Sequence, residues 1–178
     1  MESYSSLSNA MHTFLLAQKI IPNATKLINN ELVQVFLIDT SLQASCILEH
    51  LKESSGGALY PQLSVIGFDT ETCINRKQTL IDFTVGGHLR TGKLSSIPST
   101  IQIAISHHIV FVFRCFVMCF DESTKTLNHN LFPKALCNFL KCKSITKLGV
   151  ATSKDAIDLD YYFDCKVKIT IESPHLFT

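Results

Sequence analysis

The chain has almost no net charge and only moderate charge content. Its 178 residues include 16 lysines and arginines against 15 aspartates and glutamates, for a formal net charge of +1. A balanced chain exerts no global attraction on a polyanion, so any binding of nucleic acid must come from local basic residues. Hydrophobic residues make up 46% of the chain and charged residues 17%, which excludes a disordered protein and predicts one domain with a buried core.

Paired cysteine motifs and long uninterrupted apolar runs are also missing. The seven cysteines show no Cys-x-x-Cys spacing, so we expect reduced, buried thiols rather than a zinc site or a disulfide framework. Reduced thiols indicate a nuclear or cytoplasmic location. The longest apolar stretch, residues 101–120, is interrupted by His107, His108 and Arg114, and its alternation favours strands over a membrane helix. We expect no signal peptide and no membrane partner.

The pattern along the chain predicts an α/β domain. Residues 1–30 are rich in serine and asparagine, and we expect a loose arm that precedes a domain over residues 31–178. Thr40-Ser41-Leu42-Gln43 is a capping-box sequence that predicts the start of a helix. The apolar periodicity predicts strands at 33–38, 63–71, 101–106, 109–115, 145–150 and 167–171, and helices at 41–53, 133–141 and 153–163.

The segments between these elements have weaker patterns. Residues 101–106 and 109–115 are expected to be antiparallel partners of the strand at 63–71, and residues 116–120 to extend the second partner. Residues 73–98 form a polar, glycine-dotted segment, and residues 121–130 a turn-rich loop. The order of elements predicts a sheet with helices on its faces.

The most informative residues are two carboxylates at the end of a buried strand. Asp69 and Glu71 are two residues apart, so on a strand they point to the same face. Neighbouring anions repel unless a cation lies between them, which indicates a hard divalent metal. The alternative is a strand that runs into a turn, where aspartate and threonine are common.

Three segments together resemble a nuclease family. Val65-Ile66-Gly67-Phe68-Asp69-Thr70-Glu71 resembles the first motif of the DEDD-type 3′-5′ exonucleases, closest to the Werner-syndrome exonuclease branch. Thr100-Ile101-Gln102-Ile103-Ala104 is similar to that branch's second core strand, and Lys147-Leu148-Gly149-Val150-Ala151-Thr152-Ser153-Lys154-Asp155 to its second motif. The resemblance covers about residues 31–172. It implies a ribonuclease-H-like mixed sheet, with antiparallel motif strands and parallel strands flanked by helices.

The resemblance also implies a two-metal site for Mg²⁺ or Mn²⁺ that cleaves nucleotides from a single-stranded 3′ end of nucleic acid. In this site Asp69 would bridge the metals, Glu71 would hold the metal on the nucleophile side, and Asp155 would bind the second metal. From the residues alone, Thr152-Ser153-Lys154-Asp155 is also a capping box, so Asp155 has a structural alternative.

The family carries one more aspartate and a water-orienting tyrosine or histidine on a final helix. The 23 residues that follow Asp155 offer no such helix beyond the last predicted strand. We therefore expect a domain that is incomplete at its C-terminus, with low or absent activity.

Four basic residues precede the second motif strand and are candidates for phosphate contacts, with plain surface charge as the alternative: Arg76, Lys77, Arg90 and Lys93. Phe111, Phe113 and Phe116 are predicted to lie in the core rather than to stack on bases.

Three functions remain open at this point. The first is a 3′-5′ exonuclease-like domain. The second is a non-catalytic module of the same fold that binds nucleic acid or protein. The third is a shortened form of a longer enzyme, in which a protein partner covers the exposed sheet face.

Overall fold

A six-stranded mixed sheet forms the centre of the structure, a computed structural model that describes residues 2–28, 31–53, 63–73 and 79–168. Two short 3-10 turns, Leu94–Ser96 and His129–Leu131, interrupt the connections. In chain order the main elements are α1 (Glu2–Ala17), β1 (Ala24–Ile28), β2 (Glu31–Ile38), α2 (Ser41–Glu53), β3 (Val65–Thr72), β4 (Leu80–Val85), β5 (His88–Lys93), β6 (Pro98–Ala104), β7 (Ile109–Phe113), α3 (Cys115–Cys119), β8 (Phe120–Asp121), β9 (Thr126–Asn128), α4 (Lys134–Lys141), β10 (Thr146–Leu148) and α5 (Thr152–Phe163).

The central sheet has the strand order β1-β2-β7-β6-β3-β10. Strands β2 and β7 are parallel, as are β3 and β10, whereas β1–β2, β6–β7 and β3–β6 are antiparallel. This arrangement confirms the predicted mixed α/β sheet flanked by helices. Strand β6 is the antiparallel partner of the motif strand β3, while β7 pairs with β6 and β2 instead.

A second, four-stranded sheet of order β5-β4-β9-β8 replaces the predicted polar segment and turn-rich loop. Strands β4 and β5 form a hairpin with Gly86 and Gly87 as its two loop residues. Both glycines have positive φ, 59° and 79°, as a type I′ turn requires. The Gly-Gly pair between alternating apolar residues is a hairpin signal, so the description of residues 73–98 as a polar, glycine-dotted segment missed two strands in the part that the structure describes.

The expectation of a loose N-terminal arm was also wrong for the described residues. Helix α1 places Met11 and Leu15 in the core, at 1% and 0% exposure, and strand β1 pairs along the edge of β2. The Phe14 ring stacks on His50 of α2, with ring centroids 3.7 Å apart. Met11, Phe14 and Leu15 have helical spacing, but the surrounding serines and asparagines masked that stripe.

Two smaller predictions need correction. Residues 115–119 form helix α3 instead of extending β7, because Cys115 and Cys119 both pack into the core at a helical spacing of four. No strand is present at residues 164–168, and the rest of the predicted strand at 167–171 lies outside the described residues.

Helices α2, α4 and α5 lie close to their predicted positions. Helix α2 begins after Thr40, whose hydroxyl oxygen accepts a hydrogen bond from the Gln43 N–H at 3.1 Å. The Gln43 side chain accepts one in return from the Asp39 N–H at 3.2 Å. In the parts of the chain that the structure describes, no helix has both the length and the apolar character needed to span a bilayer.

Candidate active site

Strand β3 carries Asp69 and Glu71 out of the core. Ile66 and Phe68 on this strand are buried, Asp69 is half-buried, and Glu71 is exposed. The register with β6 shifts between Glu71 and Thr72, which is the irregularity of a β-bulge. Strand β3 therefore changes, within a few residues, from a core element to one that presents carboxylates at the surface.

Glu71 lines an open cleft of about 780 Å³. The Ser99 hydroxyl donates a hydrogen bond to the Glu71 carbonyl oxygen at 3.0 Å, which ties the end of β3 to β6. Phe116 of α3 forms another wall of this cleft, and its ring stacks on Phe120 with centroids 4.4 Å apart. Phe116 is half-buried and packs against the core, which agrees with its predicted core position.

Helix α5 reaches the motif strand through a very close backbone contact. Strand β10 runs parallel to β3 and ends at Leu148, opposite Gly67. A Cβ atom on the next residue, Gly149, would lie only 2.0 Å from the Phe68 carbonyl oxygen, so no other residue fits there without a backbone shift. Ala151 then takes a left-handed conformation with φ of 56°, and α5 begins at Thr152.

This turn places Asp155 against the motif itself. The Thr70 hydroxyl donates a hydrogen bond to Asp155 Oδ1 at 2.7 Å. Thr70 lies between Asp69 and Glu71, and the alternation of a strand directs its side chain to the opposite face of β3. Asp155 therefore meets the motif from the Thr70 side of the strand, while Asp69 remains near enough to affect its ionisation.

The Asp155 carboxylate is in an unfavourable electrostatic environment. It is 8% exposed, and burial raises its pKa above the usual value. The hydrogen bond from Thr70 opposes this shift, and the negative charge of Asp69 adds to it. Asp155 Oδ2 and the nearby Thr152 Oγ1 are buried without any hydrogen-bond partner among the described residues. Buried polar atoms without a protein partner are rare, and an ordered water or a bound ion commonly satisfies them.

The donors at this site suit a hard divalent cation. Asp69 and Asp155 supply carboxylate oxygens, and one oxygen of Asp155 is unpaired. Glu71 stands at the exposed end of the same strand. Within the described ranges, no three histidine, cysteine, aspartate or glutamate side chains form a cluster that could hold a metal ion. The structure thus places Asp155 against Thr70, with Asp69 near enough for its charge to raise the pKa of Asp155, and it does not gather the three predicted carboxylates into one cluster.

The four predicted phosphate contacts fall into three situations. Arg76 and Lys77 lie outside the described residues. Lys93 is exposed at the end of β5. Arg90 is half-buried, donates a hydrogen bond to the Tyr161 carbonyl oxygen at 2.7 Å, and has its guanidinium carbon 4.9 Å from the centre of the Tyr161 ring. Arg90 therefore fastens the second sheet to the last turn of α5, a role that its sequence position did not indicate.

The fold is similar to that of known exonuclease domains. A crystal structure of the EXD2 exonuclease domain soaked in Mg and GMP matches with a TM-score of 0.51 at 19% identity, covering 78% of this chain and 55% of that one. The same domain soaked in Mg matches with a TM-score of 0.50 at 22% identity, covering 78% and 55%. With Mg and dGMP the TM-score is 0.50 at 20% identity, covering 79% and 56%.

These matches show the fold. The chain has a ribonuclease-H-like fold, as found in an exonuclease domain, and it spans a little over half the length of the EXD2 chains. No protein-family model matches the sequence. No curated protein sequence matches it either.

Proposed function

We propose that the chain is a 3′-5′ exonuclease-like domain, related to the Werner-syndrome exonuclease branch, that acts on nucleic acid with Mg²⁺ or Mn²⁺. The observation that carries the proposal is the buried Asp155 Oδ2, which has no hydrogen-bond partner among the described residues, in a carboxyl group whose pKa the Asp69 charge helps to raise. An ionised carboxylate in that position is costly without a cation. The ribonuclease-H-like fold shared with an exonuclease domain supports the same reading.

Asp69, Glu71 and Asp155 would hold the metal ions. When bound, such ions supply an activated water and stabilise the charge that develops on the phosphodiester. The Thr70 hydroxyl orients Asp155 by its hydrogen bond to Oδ1, and Oδ2 would then be the oxygen that binds the metal. The solved EXD2 domains were soaked in Mg with GMP or dGMP, which supports a divalent metal and a nucleotide as the ligands sought here.

The cleft next to Glu71 is the proposed place for the 3′-terminal nucleotide. Its walls combine hydroxyl groups of Ser99 and Thr100 with the half-exposed ring of Phe116. A half-buried aromatic ring that lines the cleft beside a carboxylate suits a base that packs against the ring while its phosphate approaches the metal site. Arg76, Lys77 and Lys93 remain candidates for backbone phosphate contacts in this proposal.

The direct test compares oligonucleotides labelled at the 3′ or the 5′ end. With Mg²⁺ or Mn²⁺, the wild-type chain should release the 3′ label as a mononucleotide and shorten the 5′-labelled strand stepwise. Asp69→Ala should lower the rate at least about 100-fold. Asp160→Asn, on α5 but not among the proposed ligands, is the control and should keep wild-type activity. Equal degradation by all three proteins would indicate a contaminating nuclease and would overturn the assignment.

A metal titration separates this function from the non-catalytic alternative. Calorimetry with Mn²⁺ should give binding heat for the wild type that is lost in Asp69→Ala. Metal binding without cleavage of DNA or RNA would favour a module that uses the fold to bind nucleic acid. No heat that depends on Asp69, together with no cleavage, would remove both the metal site and the nuclease activity.

A further inference from the structure

Two cysteines lie side by side away from the carboxylates, because the chain after α5 runs back along α4. The Lys168 N–H donates to the Leu140 carbonyl oxygen at 3.1 Å, which attaches this segment to the last turn of α4. The Cys137 sulfur of α4 lies 3.9 Å from the Asp164 carbonyl oxygen. Asp164 directly precedes Cys165, so this contact places the Cys137 sulfur beside the backbone at Cys165, and the two thiols are close enough to affect each other's ionisation.

The two thiols differ in accessibility. Cys165 has 0% exposure, whereas Cys137 is half-buried and lines an open cavity of about 300 Å³. Lys141, one helical turn further along α4, lines the same cavity. A small reagent in the cavity can therefore reach Cys137, whereas Cys165 is shielded from the solvent.

The surroundings of Cys137 favour its thiolate. The hydrogen bond from Cys165 and the hydrogen bond and charge of Lys141 lower the pKa of Cys137 to about 6, although burial and Asp164 act in the opposite direction. The same hydrogen bond and burial raise the pKa of Cys165. Cys73 is half-buried too, yet burial alone raises its pKa to about 11. The difference between the two half-buried thiols comes from their neighbours.

We propose that Cys137 is a site of reversible oxidation by hydroperoxides, and that its oxidation ends in a disulfide with Cys165. The pair joins α4 to the end of α5, the helix that carries Asp155 at its other end. The inference does not depend on the proposed nuclease function, since none of its residues belongs to the carboxylate site.

The chemistry balances over two steps. The Cys137 thiolate attacks one peroxide oxygen, the O–O bond breaks, and hydroxide leaves, so that Cys137 becomes a sulfenic acid. The Cys165 sulfur then attacks the Cys137 sulfur, an S–S bond forms, the S–O bond breaks, and water leaves with the Cys165 proton. The two sulfurs together lose two electrons and the peroxide gains them. A dithiol reductant reverses the result.

The experiment oxidises the reduced full chain with one equivalent of hydrogen peroxide at pH 7 and maps the cysteines after trypsin digestion. Cleavage after lysine places Cys137 alone in the peptide 135–141 and Cys165 alone in the peptide 155–166. We expect these two peptides to become the main cross-linked species and to separate after reduction. A disulfide that uses other cysteines, or oxidation that spares Cys137, would overturn the proposal.

Two variants and one rate measurement keep the test independent of folding defects. Cys137→Ser should abolish the cross-link, and the matched control Cys73→Ser should leave it unchanged. Alkylation of the unmodified chain by iodoacetamide at pH 7 needs no variant. Thiolate fraction and nucleophilicity together predict that Cys137 reacts roughly 30-fold faster than Cys73. Equal alkylation rates for the two cysteines would contradict the reactive thiolate on which the proposal depends.

Discussion

The two ends of helix α5 are held in opposite ways. Just before its N-terminal end, the backbone at Gly149 lies so close to β3 that there is no room for a side chain. In the first turn, Asp155 Oδ2 and Thr152 Oγ1 are buried without hydrogen-bond partners among the described residues. At its C-terminal end Arg90 donates to the Tyr161 carbonyl oxygen, and the Cys165 N–H donates to the Leu159 carbonyl oxygen at 3.3 Å.

This difference separates a structural end from a candidate functional end. The carbonyl groups in the last turn of a helix are stabilised by hydrogen-bond donors and by positive charge, and Arg90 supplies both. A buried carboxylate with one oxygen that lacks a partner costs stability at the opposite end, and such costs are concentrated at functional sites. Four substitutions test whether the two ends differ as described.

The largest effect should come from Gly149. Gly149→Ala would bring a Cβ within 2.0 Å of the Phe68 carbonyl oxygen and force the β10–α5 turn away from β3. We expect a loss of more than about 3 kcal/mol in the free energy of unfolding, measured with urea. Gly86→Ala is the control, because its Cβ meets nothing within 4 Å and only its positive φ is strained. That change should cost about 1 kcal/mol. Equal costs would remove the close-contact explanation.

The strand that leads into the functional end contains a buried lysine. Lys147 has 0% exposure, its ammonium donates to the Cys142 carbonyl oxygen, and burial lowers its pKa to about 8. Below pH 8 the folded protein carries the full cost of the buried charge. Between about pH 8 and the ordinary lysine pKa of 10.5, the unfolded chain binds more protons than the folded one, so stability rises with pH.

Lys147→Met should therefore stabilise the chain by about 2 kcal/mol at pH 7, with a gain that shrinks as the pH rises above 8. Urea unfolding at pH 7 and pH 9.5 measures this change. Lys166→Met, at an exposed position after α5, should change stability by less than about 0.5 kcal/mol at either pH. A Lys147→Met gain that does not depend on pH would show that packing rather than charge is responsible.

At the structural end, Arg90→Gln removes the hydrogen bond to the Tyr161 carbonyl oxygen and the contact with the Tyr161 ring. We expect a loss of about 1.5 kcal/mol in thermal or urea unfolding. Lys93→Gln, on the same strand but exposed, should be nearly neutral. If both changes were neutral, Arg90 would be available for phosphate, as its sequence position suggested.

The smallest effect, a gain in stability, should come from Asp155. Asp155→Asn keeps the oxygen that accepts from Thr70 and removes the charge, so it should raise stability by about 1 kcal/mol at pH 7 without metal. The folded-state pKa of Asp155 is raised, so the cost of its charge is present at neutral pH and disappears as the pH falls through that pKa. The gain should vanish near pH 3.5.

Added Mg²⁺ or Mn²⁺ sharpens this last test. Metal should raise the unfolding temperature of the wild type and leave that of Asp155→Asn almost unchanged, since a ligand stabilises only the form that binds it. An equal metal effect on both proteins would place the cation elsewhere.

The elements with strong local signals were predictable. The capping box at Thr40 and Gln43 located α2, and the apolar run before Asp69 located β3. The hairpin at Gly86 and Gly87 had an equally clear local signal but was missed, because the polar residues that alternate with the apolar ones led to its description as a polar, glycine-dotted segment. Helix α1 was missed because its core-facing stripe is short and surrounded by polar residues.

The candidate site was predictable only in part. Asp69 and Glu71 lie on one strand, as predicted from the sequence. Asp155 is more than 80 residues further along the chain, so the sequence does not show which residues of this strand it contacts. Neither the pairing of Asp155 with Thr70 nor the meeting of Cys137 with Cys165 has a signal in local spacing. Contacts of this kind depend on how distant elements pack.

The sequence by itself determined the periodicities, the caps and the presence of a carboxylate pair at the end of a buried strand, because those features depend on residues within a few positions of each other. Only the tertiary structure decided that Asp155 accepts a hydrogen bond from Thr70, that Arg90 donates one to the last turn of α5, and that Cys137 lies beside Cys165. The physical reason is that burial and charge proximity arise when separate elements pack together, and these in turn set each group's pKa and its hydrogen-bond partners.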